Sequence, residues 1–125
     1  MKIFSLEEAN SLLPTVRRLL RKIKRAHTQI ISQRNAAKQA SDLAEHGGGG
    51  IANGLAYAAH LMEMTATVGE LEALGVQLKD FSRGLIDFPS LRDGQVVLLC
   101  WQLGEGDRLE WWHDVDAGFA GRTPL

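Results

Sequence analysis

Only one cysteine, Cys100, occurs in the chain, so no internal disulfide can form and a reducing compartment is implied. Aromatic residues make up just 6% of the sequence. No apolar run approaches the roughly 20 residues needed to cross a bilayer. A secretory leader is not expected either, because Glu7, Glu8 and Asn10 interrupt the region where its apolar core would sit. A Ser-His-Asp set, a phosphate loop and a dinucleotide fingerprint are all missing. The four glycines at 47–50 lack the lysine and strand context of a phosphate loop. What remains is an ordinary globular composition, 45% hydrophobic and 23% charged over 125 residues. Such a chain suits one domain with a modest core. A cytoplasmic location is the expectation.

Acidic side chains are scarce in the first third and abundant afterwards. Residues 1–40 carry nine basic and two acidic side chains, a net of +7, whereas residues 41–125 carry five basic and thirteen acidic, a net of -8. Halves of opposite sign attract each other, within one chain or between subunits.

Ser5-Leu6-Glu7-Glu8 has the form of a capping box, with Ser5 as N-cap and Glu8 at the third helical position. Phe4 precedes it, placed to staple onto the first turn. Pro14 then predicts a kink or short break. Beyond it, Val16, Leu19, Leu20, Ile23, Ala26, Ile30, Ala37, Ala40 and Ala44 recur at helical spacing. This stretch would be roughly 45 Å long at 1.5 Å per residue. A glycine turn over residues 45–50 follows, and a second helix is expected over 51–74, with Tyr57, Leu61, Met64, Val68 and Leu71 as its stripe. Leu74-Gly75-Val76 reads as a glycine C-cap. Two helices joined by a short turn should pack antiparallel, and their apolar surface exceeds what one contact can bury.

From Val76 onward the pattern becomes extended. Short strands are expected over 76–79 and 85–88, with Pro89 ending the second and Arg92-Asp93-Gly94 marking a turn. Residues 96–103 form the best strand, followed by a hairpin into 109–114. Counting parity from Leu99 and Leu109 puts Trp101 and Trp111 in the core and turns Trp112 toward Cys100 or solvent. The expected fold is α+β: residues 1–44 as a kinked long helix, 45–50 as a turn, 51–74 as a second helix, and 75–125 as a small antiparallel sheet with a tail.

Four stretches carry a resemblance. They are Phe4-Ser5-Leu6-Glu7-Glu8-Ala9-Asn10 with Leu13-Pro14; Lys79-Asp80 followed by Gly84-Leu85-Ile86-Asp87-Phe88-Pro89; Leu99-Cys100-Trp101-Gln102-Leu103-Gly104-Glu105; and the closing run from Trp112-His113-Asp114-Val115-Asp116 to Arg122. With these, the chain resembles over its whole length a bacterial family catalogued as domain of unknown function 2203. The resemblance implies one domain spanning the sequence. It transfers no catalytic residue, cofactor or partner.

The candidate chemistry gathers near the C-terminus. Asp87, His113, Asp114 and Asp116 are the candidate ligands of a divalent metal, in a cluster that also takes in Asp80 and to which Glu105 and Cys100 could add. Strand parity turns His113 away from Asp114 and Asp116, so convergence of these three requires the strand to end or bulge. Alternatively, the acids pair with Arg83, Arg92 and Arg122 or cap turns. Asp87 lies in an apolar run where burial demands partners, unless an edge strand exposes it. Cys100 reads as a small core residue, and the His60 and Glu63 pair as surface decoration.

The partner candidates are Arg17, Arg18, Arg21, Arg25 and Trp112. The arginines are spread around the polar circumference without interleaved aromatics, and thirteen carboxylates can pair with them, which argues against nucleic acid. Three functions are thereby framed. The first is a non-enzymatic scaffold self-associating through its helices, as a dimer. The second is a metal- or small-ligand-binding protein or enzyme using the acidic C-terminal region. The third is polyanion binding through the first helix.

Overall fold

The computed structural model describes residues 1–43 and 51–125. The expected glycine turn at 45–50 lies outside them.

Helix α1 spans Leu6–Leu43. It opens on a reciprocal cap: the Glu8 N–H donates to Ser5 Oγ at 3.1 Å, and the Ser5 N–H donates to a Glu8 carboxylate oxygen at 3.2 Å. Pro14 sits inside one unbroken helix, so the short break allowed for in the sequence does not occur. The missing N–H costs one intrahelical bond, and the burial of Ala9, Leu13, Val16, Leu19, Leu20 and Ile23 along one stripe holds the turns together. The stripe ends at Ala26 and Ile30. Past Ile30, no described side chain of α1 is buried.

Helix α2, Ile51–Ala73, packs with α1 as a helical hairpin. Gly75 ends it with φ +91°, its N–H donating to the Glu72 carbonyl at 2.9 Å. A Cβ there would fall 2.9 Å from Lys2 Cβ, so both backbone angle and space require glycine.

The sheet is antiparallel, its strands neighbouring one another in chain order: β1 Gln77–Asp80, β2 Leu85–Arg92, β3 Gln95–Gln102, β4 Trp111–Asp114 and β5 Thr123–Pro124. The last strand and the 3-10 turn Phe119–Gly121 before it are additions to the sequence reading. Asp93 and Gly94, with φ of 52° and 78°, make the two-residue turn between β2 and β3. Two successive positive φ values are what a tight hairpin needs to match the strand twist.

Pro89 does not end β2, which continues to Arg92. The Pro89 carbonyl accepts the Phe4 N–H at 2.7 Å, on the side away from β3. In antiparallel pairing a residue's N–H and C=O point the same way, so the proline nitrogen also points off the β2–β3 ladder and nothing is lost. Trp101 is core as expected, but the assignments of Trp111 and Trp112 are corrected. Residues 103–110 are not strand, so parity cannot be carried across them from Leu109. Trp112 pairs opposite Leu99 and packs half-buried against the core, while Trp111 pairs opposite Cys100.

The sheet therefore has two unlike faces. Ile86, Phe88, Leu99 and Trp101 pack against α1, and Phe4 meets Phe88 edge-on at 5.2 Å between ring centroids. The opposite face carries Leu85, Asp87, Leu98, Cys100 and His113. The chain after β4 brings Val115, Gly118 and Phe119 over this face.

Candidate functional site

The second face of the sheet gathers three potential ligands from three consecutive strands. Asp87 on β2 stands directly opposite Cys100 on β3, and His113 on β4 stands opposite Leu98, two residues along the same face. Asp87, Cys100 and His113 are only 2%, 1% and 3% exposed. One carboxylate oxygen, the thiol sulfur and one ring nitrogen all lie within 4.8 Å of one another. The edge-strand position that would have exposed Asp87 is excluded, because β2 has a neighbour on each side.

The histidine's hydrogen bonds fix its chemistry. Nδ1 lies 2.7 Å from the Asp114 backbone carbonyl, which can only accept, so Nδ1 carries a proton and donates it. Nε2 then faces Asp87 Oδ1 at 3.0 Å. With a neutral ring and an ionised carboxylate, two lone pairs would confront each other in a buried site. Either a proton or a cation must lie between them.

Around this core stands a supporting shell. Arg122 is gripped by both Glu105 carboxylate oxygens at 2.9 and 3.0 Å, and its charge acts on the Cys100 thiol. Its guanidinium also lies over Trp111 at 4.7 Å and Phe119 at 4.2 Å. Partial burial works against the Arg122 charge, but the hydrogen-bonded Glu105 carboxylate more than offsets this and holds its pKa above the ordinary value. Burial, joined by the Asp87 charge, pushes the Cys100 thiol up to about 12, with Arg122 opposing. A thiol so held is no free nucleophile. A cavity of about 160 Å³ adjoins the cluster, lined by Lys79, Leu85, Asp87, Leu98, His113, Val115, Gly118 and Phe119.

Of the candidate ligands read from sequence, Asp87 and His113 are brought together. Asp114 and Asp116 are exposed and stand outside the cluster, although β4 does end at Asp114. Asp114 contributes its carbonyl rather than its carboxylate. Asp80 caps the β1–β2 turn, accepting the Ser82 and Arg83 N–H groups at 3.0 Å each. These backbone bonds, with that from Arg83 the largest, lower its pKa. Cys100, allowed at the margin of the cluster but read from sequence chiefly as core filling, is the third member. A signal for it existed: stepping six residues outward on each side of the Asp93-Gly94 turn brings Asp87 opposite Cys100.

The chain matches, over residues 2–125, the family described as "Uncharacterized conserved protein (DUF2203)". The chain belongs to this family. No curated protein and no solved structure matches it.

The partner candidates divide similarly. Arg17 binds Asp107 at 2.9 Å and lies 5.5 Å from the Trp101 ring centroid. Arg18, Arg21 and Arg25 are exposed and make no ion pair among the described residues. Trp112 carries Arg92 over its ring at 4.6 Å, and its buried Nε1–H has no hydrogen-bond partner among the described residues. No described helix is long and apolar enough to cross a membrane.

Proposed function

We propose that this protein binds a divalent metal ion of the zinc type through Asp87, Cys100 and His113, leaving one coordination position open toward the adjoining cavity. The observation that carries this reading is the buried approach of His113 Nε2 to Asp87 Oδ1 at 3.0 Å while Nδ1 is committed to a carbonyl. A ring anchored in this way holds its other nitrogen ready for a metal. Nitrogen, sulfur and carboxylate oxygen are the donors zinc takes. Around a tetrahedral zinc they stand about 3.3–3.8 Å apart, given bonds of roughly 2.0–2.3 Å. The spread of the three ligand atoms, within 4.8 Å of one another, needs only small side-chain adjustments to reach this. Three protein ligands and one open position is the pattern of sites that bind or activate a small molecule at the metal.

Metal analysis of gently purified protein, and cobalt(II) spectra after loading, test this. Thiolate-to-cobalt charge transfer and a raised melting temperature are expected, and both should vanish in Cys100→Ala and His113→Ala. A chain that takes up no metal, and whose melting temperature ignores every divalent ion, ends the proposal.

A second reading is self-association. Leu55 and Met62 on α2 are 68% and 73% exposed, and Ala58, Ala59, Thr65, Ala66 and Gly69 continue the same open face. A helix that is apolar on both its covered and its open side is suited to burial against a second copy. A dimer that Met62→Glu dissociates is expected by light scattering. A strict monomer at high concentration removes this reading.

A further inference from the structure

We infer that the exposed basic face of α1 binds the phosphate backbone of duplex nucleic acid. Two expectations stood against such a role, and the structure removes both. The arginines are not dispersed: Arg17, Arg18, Arg21 and Arg25 line one shared hollow of about 440 Å³ with Pro14. Arg21 and Arg25, joined by Lys24, also line a second hollow of about 660 Å³, so the basic surface is continuous. Nor, among the described residues, does the acidic half neutralise them. Among the described residues Asp107 takes Arg17 alone, and Arg18, Arg21 and Arg25 stay exposed and without an ion pair.

Such a face is unfavourable to the isolated helix. Like charges three and four residues apart, as at Arg18, Arg21 and Arg25, repel across each turn. A polyanion laid along the stripe turns that repulsion into attraction and releases the polyanion's condensed counterions. The stripe from Arg18 to Arg25 runs about 10 Å along the axis. Evenly spaced phosphates can meet it, and the planar guanidinium fork matches phosphate oxygens. Neither hollow is lined by Phe, Tyr or Trp. Bases have nothing to stack on, which selects a duplex over a single strand and predicts no sequence preference. Among the described residues Glu63 is the one acid lining the second hollow, and it places the stronger contact at the first.

The test is fluorescence anisotropy of a labelled DNA duplex titrated with the full chain at several salt concentrations. With three phosphate contacts the affinity should fall roughly 40-fold between about 50 and 200 mM salt. Each of Arg18→Ala, Arg21→Ala and Arg25→Ala should reduce the log–log salt slope by about 1, and the triple variant should abolish binding while its circular dichroism is unchanged. Should the triple variant misfold, the three single slopes decide. Absence of binding at about 50 mM salt overturns the inference, as does a slope indifferent to all three substitutions. It is also overturned if single-stranded DNA or anionic vesicles bind as tightly as the duplex. Metal chelation should leave the binding untouched, which keeps this result separate from that of the metal site.

Discussion

The two faces of the sheet are buried to the same degree and built from opposite chemistry. Toward α1, Ile86, Phe88 and Trp101 are at most 1% exposed and belong to the apolar core, with the one polar atom among their side chains, the Trp101 indole N–H, donating to the Gly106 carbonyl at 3.0 Å. On the other side, Asp87, Cys100 and His113 are at most 3% exposed, yet they are a carboxylate, a thiol and an imidazole. The first face gains stability from every group it removes from water. The second must offset the desolvation of ionisable groups before it gains anything. The inner face is what makes the molecule fold, and the outer face is what the fold is able to carry.

Substitutions can break this contrast. The largest effect should come from the inner face: Phe88→Ala is expected to cost about 3–5 kcal/mol in denaturant unfolding, whether or not metal is supplied. His113→Ala should come next, at about 3 kcal/mol, because it leaves the Asp87 carboxylate buried without its partner. A smaller change sharpens the contrast further. The double variant Asp87→Leu with His113→Leu should lie within about 1 kcal/mol of the parent while losing all response to metal, since buried ionic pairs can be exchanged for apolar ones at little cost. A loss as large as that of His113→Ala would mean that the pair itself holds the fold.

The smallest effect is in pH. The folded state raises the Cys100 pKa from 9.0 to about 12, so it favours the neutral thiol. The stability this contributes is present below about 9 and is lost as the pH rises toward about 12. Metal-free protein should therefore weaken over that alkaline window, and Cys100→Ala should weaken less when both are followed by urea unfolding.

Local signals in the sequence carried far. The Ser5–Glu8 cap, the Gly75 stop and the Asp93-Gly94 turn each depend on a few neighbouring residues, and each was legible. Properties that depend on a partner strand were not. Whether Pro89 ends a strand depends on which side its nitrogen faces, and that is set by the register of β2 on β3, with Phe4, far away in sequence, taking up the outward carbonyl. Parity across residues 103–110 failed because a count of two per residue pair holds only within a strand. The site was half legible for the same reason. Asp87 and His113 were singled out by residue type, whereas Cys100 could be added only through the pairing of β2 with β3.

The two-residue turn at Asp93-Gly94 governs more than the direction of the chain. It acts as the ruler from which the site is measured, since it alone determines that position 100 arrives beside position 87. One residue inserted there would exchange the faces of β3 relative to β2, carrying Cys100 among the core aromatics and Trp101 toward Asp87. In this chain, then, a length change in a solvent-exposed loop far from the cluster should be as damaging to it as loss of a ligand, and the loop should tolerate altered side chains far better than an altered length.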